Sequence, residues 1–103
     1  MSFVVRFVQG YAVGDREAFL ALEARFAEME RRRPDWPRGR RMQPFAGAEP
    51  TNTIVWEAEF PTLADALEAL DRIAADEEHE ALFREQAPLM TTSRTEIYET
   101  LEL

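Results

Sequence analysis

Apolar residues recur along this chain with two different periods, and the switches between them mark out the elements. From Phe3 to Tyr11 the period is two, with Phe3, Val5, Phe7 and Gln9 on one side and Val4, Arg6 and Val8 on the other, the pattern of a half-buried strand. Gly10 and Gly14 bracket a turn, and Asp15 stands where a helix N-cap is wanted. The spacing then predicts a helix from Arg16 to about Arg33. Phe19, Leu22, Phe26 and Met29 make its apolar stripe, while Glu17, Glu28 and Arg32 fall elsewhere. Pro34 ends it. The stretch from Pro34 to Pro50 is the least regular and has room for one short strand, Arg40 to Phe45, which Pro44 confines to a sheet edge because proline has no N–H to donate.

A turn over Ala46 to Asn52 leads to a second period-two run, Thr53 to Phe60. It sets Ile54, Trp56, Ala58 and Phe60 against Glu57 and Glu59. Pro61 stops this strand. Thr62 is the expected N-cap of the next helix, with Asp65 at the reciprocal capping-box position, and Leu63, Ala66, Leu67, Leu70, Ile73 and Ala74 form a stripe wide enough to cover a sheet. Asp76 is placed to cap a further short helix in which Leu82, Phe83 and Ala87 face inward and Pro88 closes the run. Thr91 to Ser93 reads as a turn, and a last strand is expected from Arg94 to Glu102, with Ile97 and Leu101 on one face and Glu96, Tyr98 and Thr100 on the other.

The order strand, helix, strand, strand, helix, strand defines an α+β fold over residues 1–103 as one domain: a ferredoxin-like four-stranded antiparallel sheet with its helices on one face. The helix side should hold Phe3, Val5, Phe7, Ile54, Trp56, Phe60, Ile97 and Leu101. The other side holds Val4, Arg6, Val8, Val55, Glu57, Glu59, Tyr98 and Thr100. Helices can cover only one side, and the valines and tyrosine opposite them make an apolar patch that calls for a cover, best supplied by a second copy. Val4, Arg6, Val8, Val55, Glu57, Glu59 and Tyr98 are therefore the expected homodimer interface.

Composition narrows the chemistry. The chain has no cysteine, and all 12 of its basic residues are arginine, which removes thiolate, disulfide, Schiff-base and phosphate-loop-lysine chemistry together. No cofactor motif is present and no metal site is expected, because His79 with carboxylates alone is a poor ligand set for zinc. A Ser/His/Asp triad would need His79 with Ser93 or Ser2, and neither serine sits on a strained nucleophile turn. No apolar run is long enough for a membrane span and no leader pattern opens the chain, so a cytoplasmic location is expected. The net charge of -8 argues against nucleic acid as a partner. It is unevenly spread: residues 1–50 hold nine arginines against seven acids, and residues 51–103 three against thirteen.

Four features invite a functional reading, each beside a plainer one. His79 is a candidate general base, or else an exposed residue in the acidic helix start Glu77-Glu78-His79-Glu80. Trp56, with Phe7, is a candidate wall for an aromatic ligand, or else plain core. Glu57 and Glu59 are an acid/base pair, or else partners of Arg6 across neighbouring strands. The arginine-rich run from Arg31 to Arg41, with Trp36, has the composition of a phosphate or nucleic-acid contact, against which stand a solvated loop or a salt-bridging contact with the acidic second half of a neighbouring copy.

The run from Thr53 to Leu70, with Ala74 to Leu82 and Ala87-Pro88-Leu89-Met90, resembles NIPSNAP-like and antibiotic-biosynthesis-monooxygenase-like proteins, which share the dimeric alpha+beta barrel fold. The resemblance implies a homodimer whose two sheets pack by their helix-free faces. Two readings remain, a protein that binds a small apolar or aromatic molecule between helices and sheet and, as the alternative, a cofactor-independent monooxygenase acting on an activated aromatic; Phe7, Trp56 and His79 are the ligand-binding candidates, and an open pocket lined by them would favour the enzyme, a filled core the binding protein. The heme-degrading branch carries an Asn on strand one, a Trp on the second main helix and a His just after it. This chain has Gln9, no Trp between Thr62 and Ala87, and a His79 that falls early, so heme degradation is disfavoured.

Overall fold

The structure, a computed structural model, describes residues 1–103. Strands β1 (Phe3–Tyr11), β2 (Gly39–Met42), β3 (Thr53–Phe60) and β4 (Met90–Glu99) form one antiparallel sheet in the order β2-β3-β1-β4. Helices α1 (Arg16–Arg32), α2 (Leu63–Ala75) and α3 (Glu77–Gln86) pack on one face, and single 3-10 turns at Val13–Asp15 and Ala87–Leu89 lead into α1 and out of α3. This is the ferredoxin-like arrangement the periodicities predict, with β2 at an edge.

The register confirms the faces. Phe3, Val5, Phe7 and Gln9 lie opposite Phe60, Ala58, Trp56 and Ile54. The main core joins Val5, Trp56 and Ala58 from the sheet to Phe26, Met29, Ala66, Ile73 and Leu82 from the helices. A second cluster, Tyr11, Phe19 and Ile54, closes the far end, with Met90 packed against it. A register shift beside Gly10 makes this possible: Gly10 pairs with Thr92 but Tyr11 pairs with Met90, so the extra residue puts methionine rather than Thr91 opposite the buried tyrosine.

Several boundaries differ from the expected ones, for identifiable reasons. β4 begins at Met90 and takes in Thr91 to Ser93, because Gln9, Gly10 and Tyr11 of β1 need backbone partners on that side. It ends at Glu99, where β1 runs out, and Leu101 lies beyond it, exposed. β2 stops at Met42, before the proline that cannot extend it. Asp15 occupies the N-cap of α1 but its side chain makes no capping hydrogen bond. Thr62 accepts from the Asp65 N–H at 3.1 Å, half of a capping box, since no bond runs back from the Asp65 carboxylate.

The α2 stripe is only partly used. At about 100° per residue the stripe, with Ala69 added to it, spreads over roughly 160°, more than one helix can turn toward a sheet. Ala66, Ala69 and Ile73 are buried, Leu70 is half-buried, and Leu63 and Leu67 are exposed at 44% and 47%. The helix has rolled onto its alanines, which let it approach the sheet closely, and this corrects the expectation that Leu67 is core. On α1, Leu22 is only half-buried while Glu23 is buried.

The helix-free face is also more finished than expected. Arg40, Glu57, Arg6 and Glu96 stand in one row across the four strands with alternating charge. Arg40 Nη2 meets Glu57 at 2.6 Å, and Arg6 Nε lies 3.3 Å from Glu57 at an angle that makes an ion pair without a hydrogen bond. Arg6 also sits 5.6 Å from the Tyr98 ring. Val8 and Val55 are already buried within one chain, at 3% and 5% exposure. Met42 and Arg94 flank them in the next row, where the Arg94–Glu49 ion pair brings in the β2–β3 connection. The uncovered apolar surface is therefore narrower than the sequence suggests, chiefly Val4 and Tyr98.

Candidate functional site

Between the helices and the sheet lies a half-open cleft of about 390 Å³. Period two sends Phe7 and Gln9 of β1, Trp56 of β3, Arg41 of β2, and Ser93 and Thr95 of β4 into it from the sheet. α1 contributes Glu23, Phe26 and Glu30, α2 contributes Leu70, Ile73 and Ala74, and α3 contributes His79, Glu80, Phe83 and Gln86. Ala74, Ser93 and Thr95 are exposed, so the mouth lies between edge strand β4 and the junction of α2 and α3.

The walls are aromatic. Phe7 and Trp56 stack at 5.1 Å with their planes 17° apart, forming the sheet-side wall. Across from it the His79 ring lies 5.0 Å from Phe26, 5.9 Å from Trp36 and 6.5 Å from Phe83. The structure thus brings Phe7, Trp56 and His79 to one cavity. Trp56 is at once core, 5% exposed, and wall. His79 is half-buried, which overturns its reading as an exposed member of the acidic helix start.

His79 is positioned through its backbone. Its N–H donates to the Asp76 carboxylate at 2.9 Å, the N-cap bond of α3, leaving the ring with no hydrogen bond to the protein. Burial pushes the imidazole below its usual pKa, against the opposing pull of Asp76, Glu30, Glu80 and Glu23, so the ring is neutral near pH 7. Asp76 itself is held below the usual carboxylate range: burial acts the other way, and the His79 N–H and the Arg33 guanidinium outweigh it.

A polar cluster that the sequence reading missed closes the inner end. Arg41 Nε donates to Glu23 at 2.6 Å, and its two terminal nitrogens bind Glu30 at 3.0 and 2.7 Å. Gln86, 1% exposed, donates to the other Glu23 oxygen at 2.9 Å. Burial works against the Arg41 charge, yet the bonds from Glu30 and Glu23 raise its pKa above the ordinary value. Signals for this cluster exist. Glu23 and Glu30 are seven apart on the stripe that carries Phe19 and Phe26, and Arg41 has the inward parity of β2.

The arginine run turns inward only in part: Arg33 and Arg41 are half-buried, while Arg31, Arg32, Arg38 and Arg40 stay exposed. Trp36 is buried, with Arg33 stacked over it at 4.6 Å. Arg33 pairs with Asp76 at 2.6 Å, Arg32 with Glu78, and Arg72 reaches back to Asp35 at 3.0 Å. These pairs tie the part of the run from Arg32 to Asp35 to α2 and α3 of its own chain, while Arg31, Arg38 and Arg40 stay solvated. Glu57 is likewise engaged by Arg6 and Arg40, and Glu59 accepts from the Ser2 hydroxyl, both on the helix-free face away from the cleft.

No protein-family model matches the chain, and no curated protein matches it. Solved structures do. A NIPSNAP family protein from Agrobacterium tumefaciens superposes with a TM-score of 0.77 at 16% identity, over 98% of this chain and 87% of that one. A NIPSNAP domain protein from Burkholderia xenovorans gives 0.76 at 15%, over 96% and 94%. SnoaB, a cofactor-independent oxygenase from Streptomyces nogalater, gives 0.63 at 20%, over 99% and 93%. The chain therefore has the NIPSNAP and antibiotic-biosynthesis-monooxygenase fold, as its sequence resemblance implies. No helix is long and apolar enough to cross a membrane.

Proposed function

We propose that this protein binds a small, planar aromatic molecule in the cleft between its helices and sheet. The observation that carries this reading is the pairing of a stacked Phe7–Trp56 wall with an aromatic surround at His79, across a space of about 390 Å³. A cavity of that size with apolar walls and a few converging polar groups is the usual form of a small-molecule site. The test uses the only two tryptophans, Trp36 and Trp56, both of which line the cleft. A dihydroxyanthraquinone probe should quench their fluorescence saturably, and Ala74→Phe, at the exposed mouth, should abolish that quenching. Quenching that never saturates, or that Ala74→Phe leaves intact, refutes the reading.

A second reading has its own support in His79. A neutral imidazole without a protein partner, in a cleft walled by aromatic rings, suits proton abstraction from an activated aromatic. The cofactor-independent oxygenase reading follows: the substrate carbanion supplies the electrons to dioxygen, and a hydroxyanthrone goes to the anthraquinone and water. Oxygen uptake with a hydroxyanthrone, lost in His79→Ala, is the expected result. Uptake unchanged in that variant removes His79 from the chemistry.

We also propose a homodimer packed through the helix-free faces, in which Arg6, Glu57, Glu59 and the buried Val8 and Val55 underlie a contact made by Val4 and Tyr98. The alternating row Arg40, Glu57, Arg6, Glu96 is its own charge complement when reversed, as a two-fold axis parallel to the strands would reverse it. Val4→Arg, on a residue not fully buried in one chain, should yield a monomer in sedimentation equilibrium. A dimer indifferent to Val4→Arg refutes this surface.

A further inference from the structure

The aromatic walls say little about the charge of a ligand, but the inner end of the cleft does. The charged groups that line the cleft are Glu23 and Glu30 from α1, Arg41 from β2, and Glu80 from α3, which is paired with Arg84 at 3.3 Å near the mouth. None comes from α2, β1, β3 or β4, and His79 is neutral near pH 7. At the inner end two carboxylates, Glu23 and Glu30, thus stand against one guanidinium. Arg41 is not free to act as an anion anchor, because Glu23 and Glu30 together occupy its Nε and both terminal nitrogens. Two N–H groups remain on it, yet any anion that reached them would also meet the two carboxylates. Charges in a partly dry space interact over several ångströms with far less screening than in water.

We infer that the cleft selects aromatic molecules that are neutral or cationic, with a hydrogen-bond donor turned toward the Glu23–Glu30 end, and rejects aromatic anions of the same shape. The inference rests on the proposed reading of the cleft as an aromatic site and adds its charge selectivity. Glu30 is the residue to alter. It lies at the inner end, is bound to Arg41 through both oxygens, and its amide isostere keeps one acceptor for Arg41 while removing the charge.

The experiment is a titration with three naphthalenes of one shape: 2-naphthylmethylammonium, 2-naphthylmethanol and 2-naphthoate. The indole N–H signals of Trp36 and Trp56 in nitrogen–proton correlation spectra report occupancy, since both residues line the cleft. The ammonium should bind most tightly and the carboxylate most weakly, with dissociation constants at least about tenfold apart at low salt, and Glu30→Gln should shrink that ratio severalfold. Equal affinities, a tighter carboxylate, or an unchanged ratio in Glu30→Gln overturn the charge selectivity while leaving the aromatic site standing. If Glu30→Gln does not fold, the order of the three ligands on the unaltered protein decides alone. If no naphthalene moves either indole signal, the aromatic site itself is refuted.

Discussion

Gly39 opens β2, and a methyl group added there has nowhere to go. Its Cβ would stand 2.2 Å from Trp56 Cε2, 2.4 Å from Nε1 and 2.5 Å from Cζ2. The obstacle is a rigid ring, not the end of a flexible chain, and that ring is held from its other neighbours by the Phe7 stack at 5.1 Å. No glycine here has a positive φ, so backbone strain plays no part. At such a site Gly→Ala ordinarily stabilises by about 0.4 to 1 kcal/mol through the unfolded chain. Here the sign should reverse. Overpacking a rigid contact costs about 1 to 3 kcal/mol, and about 2 kcal/mol in a domain of this size lowers Tm by roughly 8 to 16 °C. Because the indole must tilt into the cleft or β2 must lift from β3, Gly39→Ala should also shift the Trp56 indole signal and weaken aromatic binding. Thermal unfolding by circular dichroism reads the first effect, and indole spectra the second. A Tm equal to or above that of the unaltered protein would refute the idea that Gly39 exists to seat Trp56.

Glu23→Ala strips Arg41 of one carboxylate and Gln86 of its side-chain acceptor; breaking a buried pair costs about 3 to 5 kcal/mol, and because Glu30 keeps its grip on Arg41, a loss of about 2 to 3 kcal/mol is expected in urea unfolding. A loss under about 0.5 kcal/mol would make the cluster a surface feature. For His79 the folded pKa lies below the ordinary value of 6.5, so the unfolded chain binds the proton more readily. Its contribution is fully present above that value and is lost as pH falls through the lower folded one. The stability difference between the unaltered protein and His79→Gln should therefore move against the unaltered protein between about pH 8 and about pH 5. A difference flat across that range contradicts a buried neutral imidazole.

The sheet was readable because its signal is redundant. Phe3, Val5 and Phe7 and then Ile54, Trp56, Ala58 and Phe60 each alternate on their own, and the pairing of Phe7 with Trp56 and Val5 with Ala58 only confirms what each strand states separately. β4 was readable only from Arg94 onward, since Thr91 to Ser93 carries turn-like residues whose strand state is imposed by the unpaired edge of β1. Helix α2 shows the opposite limit. Its stripe of leucines and alanines fixes that a helix forms but not how it rolls, and the choice of Ala66, Ala69 and Ile73 over Leu63 and Leu67 depends on how closely the backbone approaches the sheet, a tertiary quantity.

The polar end of the cleft was hidden for a related reason: each of its members looks ordinary alone. Glu23 reads as one more acid in a charged helix, Arg41 as one more arginine in a basic run, and Gln86 as a helix-end residue, although all three point to one volume. What links them is a mismatch between two periods. Glu23 and Glu30 interrupt the apolar face of α1 at a spacing of seven, and Arg41 is the single charge on the inward side of β2. Two acids on a helix face and one base on the inner face of an edge strand can each be buried only if they meet, because neither charge is tolerated there unpaired. The aromatic walls followed from propensity and parity, residue by residue. The charge of the space they enclose follows only from pairing, and that same pairing leaves two carboxylates, Glu23 and Glu30, against the one guanidinium of Arg41 at its inner end.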